Sequence, residues 1–307
     1  MGAVEIVAEV GSNYDGSLEK AQSYVKASKE CGADAIKYQT IRKDRLVAPK
    51  ILSDGRWVDN PVYREFGSLE LADEWHHALK RTADQEGIEF ISTPFYLEAV
   101  ELLEAVGVRT YKIGSGDVTF FPLLEAVGGT GKRILLSTGA SYLREIEEAI
   151  NVLVKSGAGE IVLLHCVSNY PPRWDEMNLK AMVTMKETFG LPVGISDHSR
   201  GNLLPVAAVA LGGTVIEKHI TFDRSSSGPD HSFATTVDEF ADMVKQVRCL
   251  ELALGTGEKL PSEPELARQA LIRRSPYHRV TYEPTDDPNG IWLRPEVGPS
   301  PHGRPRN

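Results

Sequence analysis

Two lysines, Lys37 and Lys112, two histidines, His198 and His219, and the carboxylates Glu9, Asp117 and Glu217 each stand at or just past the end of a short β-rich apolar run. Hydroxyls gather in the same kind of position: Thr93, Ser115, Ser137, Ser168 and Ser196. A lysine ammonium is a compact point charge, and short glycine turns, here Gly-Ser-Gly at 114–116 and Ser-Thr-Gly at 137–139, expose backbone N–H groups. Together these groups suit a phosphate or a carboxylate. Two imidazoles at the ends of successive runs can reach one point, which fits a divalent metal with open positions. Mixed imidazole, carboxylate and water ligation accommodates Mn2+, Mg2+ or Zn2+. The carboxylates supply acid–base or charge-balancing groups. A polar stretch after the last run, FDRSSSGPDHSFA, adds Asp223, Asp230 and His231, and Asp230 can serve there as acid, base or hydroxyl ligand.

Something must bring these residues together. The apolar runs cover 4–10, 34–40, 89–95, 110–114, 133–138, 160–166, 192–197 and 214–221, and helical stretches alternate with them. Over 142–156, Ile146, Ala149, Ile150 and Leu153 recur at helical spacing. Ser17 is placed as the N-cap of a helix over 17–31, and Gly32, Gly87, Gly107 and Gly157 stand where helix C-caps are expected. Eight such units predict a closed (β/α)8 barrel, with a doubly wound open sheet as the alternative. In a barrel the polar ends converge on one mouth. Residues two apart on a strand point the same way, so Lys37 pairs with Gln39, Ser196 with His198 and Glu217 with His219, while Tyr38, Asp197 and Lys218 face outward. The long connection over 41–68, carrying Arg42, Lys43, Arg45, Trp57 and Arg64, reads as a rim or lid.

Bulk properties narrow the classes. The 307 residues are 41% hydrophobic and 25% charged, with a formal net charge of −9, which argues against nucleic acid or an anionic membrane as partner. No apolar run reaches the roughly 18 residues of a membrane span. The first residues, MGAVEIVAEVG, enter a strand pattern without the regions of a signal peptide, which places the chain in the cytoplasm. Cys31, Cys166 and Cys249 are read as reduced, buried small side chains. The domain reading is a barrel over 1–275 and a short irregular extension over 276–307, rich in proline and arginine.

The blocks AEVGSNYDGS, GADAIKYQT, STPF, YKIGSGD, LSTG, HCVSNYP, GISDHS and IEKHITFDRSSSGPDHSFA resemble, in order, the motifs of the sialic acid synthase (NeuB-like) family, from about residue 4 to residue 275. The resemblance implies condensation of phosphoenolpyruvate with an N-acylated amino-sugar aldehyde. It implies that Lys37, Thr93, Lys112, Ser115, Ser137, Ser168 and Ser196 hold phosphoenolpyruvate. His198 and His219 would bind Mn2+ or Mg2+. Gln39, Tyr170 and Asp230 would contact the sugar, and Glu9, Asp117, Glu217 and Asp230 would be the catalytic carboxylates. It also implies a homodimer in which a C-terminal antifreeze-like domain caps the partner's barrel. LRPEVG at 293–298 resembles that domain's arginine block and nominates Arg294, in what reads as a truncated remnant. Departures from the family pattern are Asp117 for glutamate, Ser168 in a block that often carries asparagine or threonine, Tyr96 in STPFY, and Tyr14 and Asp15 in NYDG. They are read as falling mainly where the acceptor sits, which leaves a different sugar acceptor as the alternative.

Overall fold

The structure, a computed structural model, describes residues 2–295. The barrel strands are β1 (Glu5–Glu9), β2 (Ala35–Thr40), β3 (Glu89–Pro94), β4 (Thr110–Ile113), β5 (Arg133–Ser137), β6 (Ile161–Cys166), β7 (Val193–Asp197) and β8 (Val215–Thr221). Each pairs in parallel with the next, and β8 pairs with β1, which closes the (β/α)8 barrel. The helices that follow them are α1 (Leu18–Glu30), α2 (Asp73–Glu86), α3 (Leu97–Val106), α4 (Phe121–Gly128), α5 (Leu143–Ser156), α6 (Lys180–Phe189), α7 (Leu203–Ala210) and α8 (Val237–Leu254). Every expected run is a strand of this barrel. Closure leaves no exposed edge, which an open sheet of this size would have.

Local sequence explains the helix ends. The Ser17 side chain accepts from the Lys20 amide at 3.2 Å, satisfying one of the donors orphaned at the start of α1. Gly87, Gly107 and Gly157 end α2, α3 and α5 in the left-handed region, as expected. Gly32 does so one residue later, because Cys31 takes the C-cap of α1 in right-handed geometry.

The core has two shells. Outward-facing strand residues such as Ile6, Ile36, Phe90, Ile134 and Ile216 pack against the helices. Inside the barrel, Val7, Ala35, Ile91, Leu135, Val162, Leu164 and Val215 form a separate apolar plug. Each valine, leucine or isoleucine of the plug contributes about 1.5–3 kcal/mol by leaving water. Below the plug, Arg133 bridges Glu5 at 2.6 Å and Glu160 at 2.7 Å. Burial pushes the Glu5 carboxyl up, with Arg133 opposing it. The plug therefore lifts the polar layer above it to the C-terminal mouth.

The long β2–α2 connection holds a short helix, an exposed antiparallel hairpin of Lys50–Ser53 with Arg56–Asp59, and a helix over Pro61–Phe66. Arg42 pairs with Asp73 at 2.8 Å and Arg45 with Glu98 at 2.9 Å. Among the described residues no helix is long and apolar enough to cross a membrane. Cys31 and Cys166 are buried, but Cys249 is exposed, contrary to its reading as a buried side chain.

The chain falls into two compact units, one ending at Leu254 and the other beginning at Gly255. The helix Glu263–Ile272 buries none of its residues, so it falls in the second unit. That unit also contains an antiparallel pairing of Ser275–Tyr277 with Ile291–Leu293. Arg294 follows the latter strand and is exposed. The LRPEVG block extends past residue 295 and to that extent lies outside the described residues.

Candidate active site

Strand parity assembles the mouth. Residue 9 of β1 is in register with Lys37 on one side and His219 on the other, and Glu217 is in register with Ser196. All point inward, one layer above the apolar plug. Lys37 Nζ lies 2.7 Å from Glu9 Oε2 and 3.7 Å from Glu217 Oε1, and donates to Thr93 Oγ1 at 3.2 Å. Gln39 Nε2 donates to the other Glu9 oxygen at 2.7 Å. Glu217 Oε1 accepts from Ser196 Oγ at 2.9 Å and lies 3.7 Å from Lys112 Nζ. This network draws on β1, β2, β3, β4, β7 and β8.

All four charges are buried. An isolated charge there would be neutralised by its own desolvation, so the mutual arrangement decides the protonation states. Burial alone would lower Lys37, but Glu217 and Glu9 overcome it and hold the ammonium above its ordinary value. Burial alone would raise Glu217, but Lys112 and Lys37 hold it below the usual carboxylate value. Lys112 fares differently: burial, reinforced by the Lys37 charge, depresses it despite Glu217. Two cations thus share one central carboxylate. Glu217 Oε2 and Ser137 Oγ are buried without a hydrogen-bond partner. An unpaired buried polar atom costs about 1–3 kcal/mol, which a polar ligand at the mouth would recover.

Beside the lysines lies a cradle of hydroxyls from the ends of β4, β5 and β6. The Gly139 amide donates to Ser115 Oγ at 2.9 Å. A Cβ at Gly139 would meet Ser168 Oγ at 2.4 Å and Ser115 Oγ at 2.9 Å, so only glycine lets both hydroxyls approach this turn. Asp117 closes the side next to Lys112, on a 3-10 turn over Ser115–Asp117. Burial pushes its carboxyl up to about 6, with Lys112 opposing.

That value has a consequence for stability. A carboxyl raised in the folded state binds protons more tightly there than in the unfolded chain. Stability is therefore lost as pH rises from about 4 to 6 and stays lower above that range. Asp117→Asn, which cannot ionise, is expected to gain about 2–3 kcal/mol over wild type at pH 7.5 and nearly nothing at pH 4. Denaturant unfolding at the two pH values measures this, and an equal effect at both would refute the assignment.

The two histidines form the other wall. Their ring centroids are 5.2 Å apart. Burial, aided by the charges of His219 and Lys112, pushes His198 well below its ordinary value, so its imidazole is neutral and keeps a lone pair. His219 Nδ1 is buried without a hydrogen-bond partner. A neutral imidazole at His198 and an unclaimed ring nitrogen on His219 fit a metal ligand role. Among the described residues, however, no three His, Cys, Asp or Glu side chains are grouped as a ready-made cage. The arrangement suits two protein ligands with remaining positions open. Phe233 packs against His219 and His198, with ring centroids at 5.0 Å and 6.0 Å, and Tyr170 lies 4.5 Å from His198. Asp230 reaches the mouth from the loop after β8, where Ser12 binds it through both amide and hydroxyl, each at 2.8 Å.

Of the nominated residues, Glu9, Lys37, Gln39, Thr93, Lys112, Asp117, Ser196 and Glu217 form one charge network. Ser115, Ser137 and Ser168 lie at the adjoining strand ends, and Tyr170, His198, His219 and Asp230 line the other side. Tyr38 bonds to the Ala21 carbonyl of α1 at 2.7 Å, and Lys218 pairs with Asp197 at 2.6 Å, so these residues do face outward. Tyr14 and Asp15 do not lie where the acceptor was expected. Tyr14 is buried against Tyr38 and Trp75 and donates to the Leu69 carbonyl, while Asp15 pairs with His231 and Lys20. Cys166, read as a core side chain, has its Sγ 3.8 Å from His198 Nδ1. Its parity with Leu164 was the available signal. Ser12 and Phe233 were missed because neither belongs to a strand, and loop residues carry no periodicity.

Comparison with known proteins identifies the family. The NeuB family model matches residues 24–259. The chain is 40% identical to the N,N'-diacetyllegionaminic acid synthase of Legionella pneumophila, over 96% of this chain and 86% of that protein. It is 38% identical to a pseudaminic acid synthase of Campylobacter jejuni, over 89% and 81%. Among solved structures, the N-acetylneuraminic acid synthetase of Leptospira borgpetersenii, in complex with citrate, superposes with a TM-score of 0.80 at 32% identity, covering 88% of this chain and 93% of that one. The chain belongs to the NeuB family and is an enzyme of the sialic acid synthase type.

Proposed function

We propose that the enzyme condenses phosphoenolpyruvate with an N-acylated amino-sugar aldehyde, giving a 2-keto-3-deoxy nonulosonic acid and phosphate. The observation that carries this reading is the buried pair Lys37 and Lys112 around Glu217, beside two close imidazoles. The lysines, with Thr93, Ser115, Ser137, Ser168 and Ser196, hold the phosphate and carboxylate of phosphoenolpyruvate. Gln39, Tyr170 and Asp230 face the sugar. A divalent ion held by His198 and His219, Mn2+ or Mg2+, would supply Lewis acidity to the aldehyde oxygen.

The methylene carbon of phosphoenolpyruvate attacks the aldehyde carbon, and the carbonyl oxygen takes up a proton. Water adds to the electron-poor C2, giving up its proton to a carboxylate. The bond from C2 to the phosphate oxygen then breaks as the C2 hydroxyl becomes the keto group, its proton passing to the departing phosphate. Asp117, with a value near 6, and Glu9, bonded to Gln39 and Lys37, are the groups placed to move those protons. The fixed cations stabilise the phosphate as it leaves. Mass spectrometry of the product tests this: the acceptor should gain the skeleton of pyruvate, and recovery of unchanged sugar under all conditions would refute it.

The Gly139 turn gives a second test. Gly139→Ala should raise KM for phosphoenolpyruvate by about tenfold or more, since a charge-assisted contact is worth roughly 1.5–3 kcal/mol, and leave the acceptor KM near wild type. Steady-state kinetics with each substrate varied would show it. An acceptor-only effect would place the cradle on the wrong substrate.

One observation favours a different reading, a Schiff-base aldolase: Lys112 is held below its ordinary value, as a nucleophilic lysine must be. Borohydride treatment with pyruvate separates the two. The condensing reading expects no covalent adduct on Lys112, and a stoichiometric adduct would establish the aldolase.

A further inference from the structure

The loop after β8 is fastened to the β1–α1 loop at two adjacent residues. Asp230 Oδ2 accepts from the amide and hydroxyl of Ser12, both at 2.8 Å. His231, fully buried, has Nε2 2.9 Å from Asp15 Oδ1 and Nδ1 2.7 Å from Thr221 Oγ1. Gly11 makes the first fastening possible. It has φ +55, and a Cβ there would lie 2.4 Å from Asp230 Oδ2 and 3.1 Å from His219 Cε1. The missing side chain is thus the space into which the carboxylate and the imidazole edge fit.

The two Ser12 donors both engage the same oxygen. No hydrogen bond among the described residues involves Asp230 Oδ1. We propose that Ser12 is a positioning residue: by fixing Oδ2 from two directions it sets the rotation of the Asp230 carboxylate and leaves Oδ1 for the acceptor. The kinetic part of this inference rests on the condensing reading above, while the fastening itself does not. Ser12 touches no substrate in this account. It acts on acceptor handling through Asp230, while the phosphoenolpyruvate side, built on Lys37, Lys112 and the hydroxyl cradle, is independent of it.

The test uses the full chain as wild type, Ser12→Ala, Ser12→Thr, Asp230→Ala and the double variant Ser12→Ala/Asp230→Ala. Loss of one hydrogen bond to a charged group predicts about a tenfold fall in kcat/KM for the acceptor in Ser12→Ala. KM for phosphoenolpyruvate should stay within about twofold, and Ser12→Thr, which keeps the hydroxyl, should recover acceptor kinetics. In the Asp230→Ala background, Ser12→Ala should add almost nothing, because contacting residues couple non-additively. Thermal unfolding of the same proteins needs no substrate and should show the same coupling. Equal effects on both substrates, no recovery by threonine, or a Ser12→Ala effect undiminished in Asp230→Ala would overturn the proposal. If wild type turns over no sugar, the functional reading fails, and the unfolding cycle alone decides the fastening: additivity there overturns it.

Discussion

Lys112→Met will lower kcat/KM for phosphoenolpyruvate by about 10²–10³ or more while leaving the fold close to wild-type stability, whereas Lys37→Met will lose activity and stability alike. The two lysines share Glu217, each 3.7 Å from the same oxygen, but differ in what else they hold. Lys37 also grips Glu9 at 2.7 Å, and its ammonium is held above the ordinary value. A group raised in this way contributes stability at every pH below the unfolded lysine value. Removing it leaves two buried carboxylates short of a cation, a change that typically costs 3–5 kcal/mol. Lys112 is depressed by burial and by the Lys37 charge, so the folded state bears a cost for keeping it charged at neutral pH. Its removal relieves that cost and takes away the larger of the two cationic influences on Glu217, but Lys37 still lies 3.7 Å from that carboxylate. Its loss from a dry site should nevertheless lower kcat/KM for phosphoenolpyruvate by about 10²–10³ or more. Thermal melts alongside phosphate release give both quantities. A large loss of stability in Lys112→Met, or equal stability in the two variants, would contradict this division of roles.

His198→Ala and His219→Ala should each lower metal-dependent turnover by about 10³ or more, and the double variant should be little worse than either, since residues acting as one unit are non-additive. Metal content after dialysis and readdition of Mn2+ should fall in parallel with activity. Both imidazoles are buried, and Phe233 packs against each, so alanine leaves a cavity as well as a lost ligand. Asparagine at either position is the control for packing, because it retains bulk and polarity. If both alanine variants keep full activity and metal content, the assignment of the histidines as ligands is wrong.

The barrel was legible because its signals are periodic. Eight apolar runs, each ending in polar residues, favoured closure over a doubly wound open sheet, and alternation along β2, β7 and β8 placed Lys37, Gln39, Ser196, His198, Glu217 and His219 on one face. The same rule would have included Cys166, which was set aside by residue type rather than by position. The loops were harder to read. Ser12 and Phe233 reach the mouth only through contacts with residues more than two hundred positions away or across the mouth, and no local pattern encodes such contacts. Tyr14 and Asp15 show the opposite error: a motif position does not reveal whether a side chain turns to the site or to the packing behind it. Tyr14 is held by Tyr38, Trp75 and the Leu69 carbonyl, a setting that only the folded long loop creates. Asp117 lies between these cases. Its nomination came from sequence, but its raised pKa follows from burial, which sequence alone did not disclose.

The proposed reaction joins phosphoenolpyruvate to a sugar aldehyde at this mouth. Phosphate release from phosphoenolpyruvate, measured with a panel of N-acylated amino sugars and Mn2+, tests it most directly. Release is expected to require both substrates and the metal, and to match formation of a 2-keto acid one for one. Well-folded, metal-supplied protein that releases no phosphate with any sugar of the panel, or releases it equally fast with none, would contradict it.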